Sequence, residues 1–511
     1  MEHLSGLDAS FLHLETAEMP MHVGGLHLLD LPQEQHAGFA DILKRHIADR
    51  MHLAGVFSKK LAPMPFDIAN PVWIDDDDVD LDYHIRQIAL PRPGTRTQLE
   101  AYVGRLHSSL LDRSRPLWEF YLLTGLDSGQ LGFYTKIHHA ALDGQGAMVL
   151  AQALLDLTPV PRKVDPPPEH ERTPYQPAVA ALLKAALRDT VSQTWRLARG
   201  IPTGVRVAAS VLTPSRDPDR AGLLARFSPA PRTPLNVSIT NQRAFATATM
   251  SVKEALEVSK AFGATLNDVI LAIVSGALRR YLDEHGALPA RSLVAAVPVS
   301  LREDGDQKLN NQVSMMLVKL ASEENDLAAR MKAIVKASGR MKQTAANLKS
   351  VLPTEFPSLG LPWLMSALVA LYGRARLADS LPPVANVVVS NVPGPRTALY
   401  LAGARLATNY PVSIVTHGLA LNVTVQSYNG ALDFGIIACR RAVPDVHLFA
   451  TCMTAAHEEL LAAAWKMLAQ PVRKRAAVKK APVPAQQAAA RKAPARRKAQ
   501  SKPKAPGARA S

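Results

Sequence analysis

The stretch TPVPRKVDPPPEHERTPYQP, Thr158 to Pro177, holds seven prolines in twenty residues. Each proline fixes its own φ, removes a backbone donor and biases the residue before it away from the helix. No helix or sheet ladder survives that density, so the chain is divided into blocks that build their elements on either side. A basic, alanine-rich stretch follows, AVAALLKAALRDTVSQTWRLARG, with helical spacing, and proline-rich chain resumes up to about Leu235. The expected organisation is a first block over 1–160, a linker with a basic helix over 161–235, a second block over 236–468 and a tail over 471–511.

Both folded blocks mix the two hydrophobic periods, which makes the class α/β. In the first, PVWIDDDDVDLDYHIRQIAL reads as extended, with Val72, Ile74, Leu81, Tyr83 and Ile85 alternating with polar residues. LEAYVGRLHSSLLD carries Leu99, Val103, Leu106 and Leu110 at helical spacing. LWEFYLLTGL and QLGFYTKIHH read as two strands joined by a DSG turn. In the second block, TLNDVILAIVSGALRRYLDEHG reads as a strong helix capped near Asn267 and stopped at Gly286. SLVAAVPVSL and NVVVSNVPGP read as buried strands, and LALNVTVQSYNGALDFGIIA as a hairpin turning at Asn429-Gly430.

The net charge of +15 suggests a nucleic-acid binder until its distribution is considered. Thirteen Lys and Arg fall in residues 471–511, which contain no Asp or Glu; the remaining 46 basic residues nearly cancel the 44 acidic ones. The body is close to neutral and the tail alone is a polycation, of a composition expected to be disordered. It suits contact with anionic lipid, unspecific contact with nucleic acid, or a plain soluble extension. Two cysteines, Cys439 and Cys452, exclude a disulfide framework and a cysteine-rich metal site. DDDD at Asp75 to Asp78 lacks a metal-loop pattern and reads as a solvated turn, so no metal is expected. The opening MEHLSGLDAS has neither a basic n-region nor an apolar core, and LGLPWLMSALVALYG (Leu359 to Gly373) is short for a bilayer span. A cytoplasmic protein is expected.

The chemistry concentrates in FYTKIHHAALDGQGAM, Phe133 to Met148. Strand alternation puts Phe133, Thr135 and Ile137 on one face and Tyr134, Lys136 and His138 on the other. One more residue of strand sets His139 on the Phe133 side and His138 opposite. One ring then meets substrate while the other is held by the protein. Asp143 stands at the entry to a helix with Gly144 and Gly146 beside it, which leaves room for a sharp turn and close approach. It has three available roles there: capping the helix, orienting the site, or pairing with a cation of the second block.

A neutral imidazole, with an unperturbed pKa of about 6.5, can take a proton from a hydroxyl as that oxygen attacks a carbonyl. No serine sits in a Gly-x-Ser-x-Gly elbow, and neither cysteine has a neighbourhood that would activate it. Direct transfer from an activated acyl donor, by general-base catalysis without an acyl-enzyme, is the simplest fit.

HHAALDG resembles the motif of the acyl-CoA-dependent acyltransferases of the chloramphenicol acetyltransferase-like fold, shared with condensation domains. LSGLDASFLHLETAEMPMHVGGL, PVWIDDDDVDLDYHIR, LDRSRPLWEF, TLNDVILAIVSGALRRYL, VPVSLR, SNVPGP with LYLAGARL, and NVTVQSYNGALDFGI narrow the resemblance to the bacterial wax ester synthase/acyl-CoA:diacylglycerol acyltransferase family over about Leu4 to Leu468. It implies two chloramphenicol acetyltransferase-like domains with a channel between them, entered by acyl-CoA and alcohol from opposite sides. By motif position His139 resembles the general base, His138 its structural neighbour and Asp143 an orienting carboxylate, with Arg302 of VPVSLR its candidate partner. Gly144 and Asn267 join Arg302 as substrate-side candidates, Asn267 also being placed to cap its helix. Pro116, Leu117 and Trp118 read as core or channel wall. The expected activity is transfer of a long-chain acyl group from acyl-CoA to diacylglycerol or a long-chain alcohol, giving triacylglycerol or wax ester, with no cofactor. Peripheral contact with the inner membrane or lipid inclusions, and no specific nucleic acid, complete the expectation. Two rivals stay open on the sequence: a condensation-type transferase using carrier-protein thioesters, and a non-catalytic lipid-surface or nucleic-acid binder driven by the tail.

Overall fold

The computed structural model describes residues 2–4, 6–62, 70–142, 144–166, 229–300, 313–349 and 370–469. Residues 1–469 form one compact unit. Asp143, Arg302, most of the linker with its basic helix, most of Leu359–Gly373 and the basic tail lie outside the described residues.

The first half runs β1 (Glu2–His3), α1 (Gly6–Leu14), β2 (His22–Asp30), α2 (Phe39–Ala48), β3 (Lys59–Ala62), β4 (Val72–Asp75), α3 (Leu81–His84) and β5 (Ile85–Ala89). It continues with α4 (Arg96–Ser108), β6 (Trp118–Thr124), β7 (Leu131–His138), α5 (Gly144–Leu154) and β8 (Leu155–Asp156). The second half begins with β9 (Arg243–Ser251), α6 (Val252–Phe262), α7 (Leu266–Glu284), β10 (Val294–Ser300), β11 (Val313–Lys319) and α8 (Leu327–Lys349). It ends with β12 (Val387–Val392), β13 (Tyr400–Leu401), β14 (Ala404–Val412), β15 (Leu421–Tyr428), β16 (Ala431–Cys439) and α9 (Val446–Ala469).

Among the described residues one sheet has seven strands in the order β5-β6-β7-β2-β14-β13-β8, and another six in the order β11-β10-β12-β15-β16-β9. The expected β6–β7 hairpin forms, pairing Trp118 with Ile137. The β15–β16 hairpin turns on Asn429 and Gly430, both at positive φ, as a tight Asn-Gly turn requires. The seven-stranded sheet is not built from the first half alone. Strands β13 and β14 cross into it from the second half, β14 pairing with β2 from Arg405 opposite Asp30 to Val412 opposite Gly24. β14 also lies against the other sheet, where a Cβ on Gly435 of β16 would stand 1.6 Å from the Pro411 carbonyl oxygen. Only glycine admits that approach.

Two sequence readings change. The segment after β4 is not extended throughout: the Asp80 carboxylate accepts from the backbone N–H groups of Asp82 and Tyr83, and this cap turns Leu81–His84 into a helical turn. The α7 cap is Thr265, two residues before Asn267. Its hydroxyl accepts from Asp268 N–H while the Asp268 carboxylate accepts from Thr265 N–H at 2.9 Å, a reciprocal box that leaves Asn267 inside the first turn. The helix ends at Glu284, with Gly286 at φ 61° just beyond. Val269 to Leu278 are buried on every face of α7, which fits a helix apolar all round. No single described helix is long and apolar enough to cross a membrane.

Candidate active site

β7 separates two environments. Phe133, Thr135 and Ile137 line a cavity of about 370 Å³ together with His139, as the alternation requires. Val23 and Gly25 of β2 and Leu150 and Leu154 of α5 contribute from the first half; Ser390, Val412, Thr424 and Gln426 contribute from β12, β14 and β15. The cavity thus lies where the two sheets meet. Its walls are mostly apolar, with a few hydroxyls and amides, the character of a site for a largely hydrocarbon ligand.

His139 is half-buried and follows the last residue of β7. Its backbone N–H donates to the Met21 carbonyl at 2.8 Å, and its ring stacks on Phe11 with centroids 3.9 Å apart and planes 15° apart. Its backbone is therefore located by the segment that joins α1 to β2, and its ring by α1.

His138 faces the opposite way and is fully buried. Its Nδ1 accepts the Ala140 N–H at 3.0 Å, which leaves Nε2 as the donor atom of the ring. That atom lies 3.2 Å from Oε2 of Glu15. Glu15 Oε2 also accepts the Met21 N–H at 3.1 Å, and Oε1 accepts Nε and Nη2 of Arg113 at 3.1 and 2.8 Å. Burial pushes the Glu15 carboxyl up, but the His138 ring, the Arg113 charge and the Met21 N–H outweigh it and bring its pKa down to about 2. His138 is thus hydrogen-bonded to the scaffold through Nδ1 and set against the Glu15 carboxylate through Nε2, on the side of β7 away from the cavity.

The same face carries a buried polar network. Lys136, fully buried, donates to Glu119 at 3.1 Å, and Tyr121 OH donates to the same oxygen at 2.6 Å. Tyr134 OH lies 2.7 Å from Nδ1 of His107, whose Nε2 is 2.8 Å from the carbonyl of Ser413, a cavity-wall residue. Burial, with the nearby Arg243 and Lys136 charges, brings the His107 pKa down to about 3 against the pull of the Ser413 carbonyl, so the ring stays neutral.

Of the residues expected from the sequence, the structure puts His139 in the cavity wall and His138 behind it. Gly144 opens α5 directly after Asp143. Asn267 is half-buried in the first turn of α7 and is not among the cavity-lining residues. Pro116, Leu117 and Trp118 are buried; Trp118 donates its indole N–H to Phe57 O at 3.1 Å and stacks on His84. Asp75, Asp77 and Asp78 are exposed, and Asp76 pairs with Lys60 at 3.0 Å. Sequence reasoning missed Phe11, Glu15 and Arg113, although the first two lie in the N-terminal block that carried part of the resemblance.

Two sheets, one of them taking strands from both halves of the chain, with a histidine at the end of a strand facing the cavity where they meet, define an α/β acyltransferase-type architecture. The wax ester synthase/diacylglycerol acyltransferase catalytic domain matches residues 4–270, and the C-terminal domain of that family matches 309–461. The chain belongs to the wax ester synthase/diacylglycerol acyltransferase family. It is 38% identical over 447 residues to a putative diacylglycerol O-acyltransferase of Mycobacterium tuberculosis, across 87% of this chain and 96% of the relative. It is 34% identical over 456 residues to the O-acyltransferase WSD of Acinetobacter baylyi, across 87% and 93%. The solved wax ester synthase/diacylglycerol acyltransferase from Marinobacter aquaeolei VT8 superposes with a TM-score of 0.64 at 32% identity, covering 90% of this chain and 99% of that one.

Proposed function

We propose that the chain transfers a long-chain acyl group from acyl-CoA to diacylglycerol or a long-chain alcohol, with His139 as general base and no acyl-enzyme. The observation that carries this reading is the division of labour across β7. His139 stands in the wall of an apolar cavity, whereas His138 is tied to Glu15 and Ala140 on the far face. The acceptor hydroxyl attacks the thioester carbonyl while the neutral His139 takes its proton. The tetrahedral intermediate then collapses, the C–S bond breaks, and the proton on His139 passes to the departing thiolate. The products are an ester and free coenzyme A, and no further cofactor is required. Stacking on Phe11 holds the imidazole in one plane through both transfers. Asp143, Gly144, Arg302 and Asn267 remain the candidates for orienting this site and its substrate. The polycationic segment 471–511 supplies contact with anionic lipid, where such acceptors reside.

The test is purified full chain with labelled palmitoyl-CoA and, in parallel, hexadecanol or dioleoylglycerol. His139→Ala should lower turnover by roughly 10²- to 10⁴-fold with little change in melting temperature. His138→Ala should lower turnover and melting temperature together. Near-normal turnover of His139→Ala overturns the base assignment, and failure of the wild-type chain to acylate either acceptor overturns the substrate class.

A further inference from the structure

A second hollow, of about 660 Å³, lies outside the cavity that holds His139 and has the opposite chemistry. Arg45 and His46 of α2, Arg50 just beyond it, and Arg162 and Lys163 after β8 line it, with Asp49 at its side. Asp156, buried at 4% exposure, is already engaged: Arg162 Nη1 lies 2.9 Å from one oxygen and Arg50 Nη2 3.5 Å from the other. Burial holds the His46 pKa below its usual value, and its Nε2 lies 2.7 Å from the Leu154 carbonyl, so this ring adds no charge at neutral pH. Arg45 and Lys163 are exposed and have no ion-pair partner among the described residues. The hollow therefore holds four cations against two carboxylates. Arg50, itself 4% exposed, also has a buried Nε without a hydrogen-bond partner among the described residues. The two exposed cations without an ion-pair partner among the described residues, Arg45 and Lys163, beside two arginines already engaged, call for an anionic acceptor.

We propose that this hollow is a binding site for a phosphate-bearing ligand, separate from the reaction cavity. Guanidinium groups match phosphate oxygens in pairs, and the volume admits a phosphate with its substituent. The hollow backs onto the reaction cavity. Arg162 donates to the Ala153 and Leu155 carbonyls at 3.1 and 2.8 Å, and Leu154 and Leu155 turn their other side to the cavity. Arg162, one of the cations lining the hollow, thus also fastens the end of α5, the helix that starts at Gly144. Such a phosphate reaches the chain from two sources, the 3′-phospho-ADP end of coenzyme A or the headgroup of an anionic phospholipid. The site does not depend on the acyl transfer proposed above; only the coenzyme A source does.

The test compares the full chain with Arg45→Glu/Lys163→Glu and with the milder Arg45→Gln/Lys163→Gln. Both positions are exposed and outside the reaction cavity, so the unliganded melting temperature should be unchanged; the neutral pair serves if the reversed pair melts early. Calorimetric titration with adenosine 3′,5′-bisphosphate, and flotation with phosphatidylcholine vesicles with or without phosphatidic acid, provide the probes. The wild type should bind at least one of them, and the variants at least tenfold more weakly, with residues 471–511 constant throughout. A bisphosphate-specific loss, with a raised KM for palmitoyl-CoA and an unchanged KM for its dephospho form, assigns coenzyme A. A loss confined to phosphatidic acid vesicles assigns lipid. Binding of neither probe by the wild type, or equal binding by the variants, overturns the site.

Discussion

Glu15→Gln isolates the charge that anchors His138, because the amide keeps the shape of the side chain. The carboxyl falls from an ordinary value of 4.5 to about 2 on folding. At about 1.4 kcal/mol per unit, that depression stabilises the native state by about 3 kcal/mol at pH 7. The group is an acid whose folded pKa is lowered, so the contribution is fully present above pH 4.5 and is lost as pH falls towards 2. The linkage relation reduces it to about 1 kcal/mol at pH 3. The Glu15 side chain is 2% exposed, so little of the effect is screened, whereas Arg113 is 45% exposed and can regain water when its partner is neutral. Urea unfolding followed by tryptophan fluorescence at pH 7.5, 5 and 3 checks this. The variant should be weaker by about 3 kcal/mol at the upper two values, and the gap should narrow at the lowest. Equal midpoints for both proteins at pH 7.5, or a gap that widens on acidification, refute the argument.

Two further outcomes follow from packing. Glu119→Gln leaves the fully buried Lys136 ammonium without its carboxylate and should cost about 3–5 kcal/mol in urea unfolding, while adding Lys136→Met should recover most of the loss. Gly435→Ala places a methyl 1.6 Å from the Pro411 carbonyl oxygen and should cost more than about 4 kcal/mol or yield insoluble protein; a wild-type melting temperature would refute the close approach of β14 and β16.

What could be read from the sequence followed from local periodicity. The period of two along Phe133–His138 sorted cavity residues from network residues, and His139 kept the alternation beyond the strand. The Asn429-Gly430 turn and the end of α7 at Gly286 were equally local signals. Where competing local signals met, the reading slipped: in VDLDYH the Asp80 cap prevailed over the alternation of Leu81 and Tyr83, and the Thr265–Asp268 box over Asn267. Non-local facts were beyond reach. Nothing in HLETAEMP says that Glu15 meets a histidine at the end of β7, and nothing in LYLAGARL says that this hairpin joins the first sheet rather than the second.

The ladder between β2 and β14 limits how the enzyme can breathe. Swinging the halves apart like a clamshell would strip the hydrogen bonds between Gly24–Asp30 and Arg405–Val412, in a wall of the cavity itself. A cavity with so fixed a wall should favour slender linear chains, so bulky or branched acyl chains should turn over more slowly than linear ones of equal carbon number.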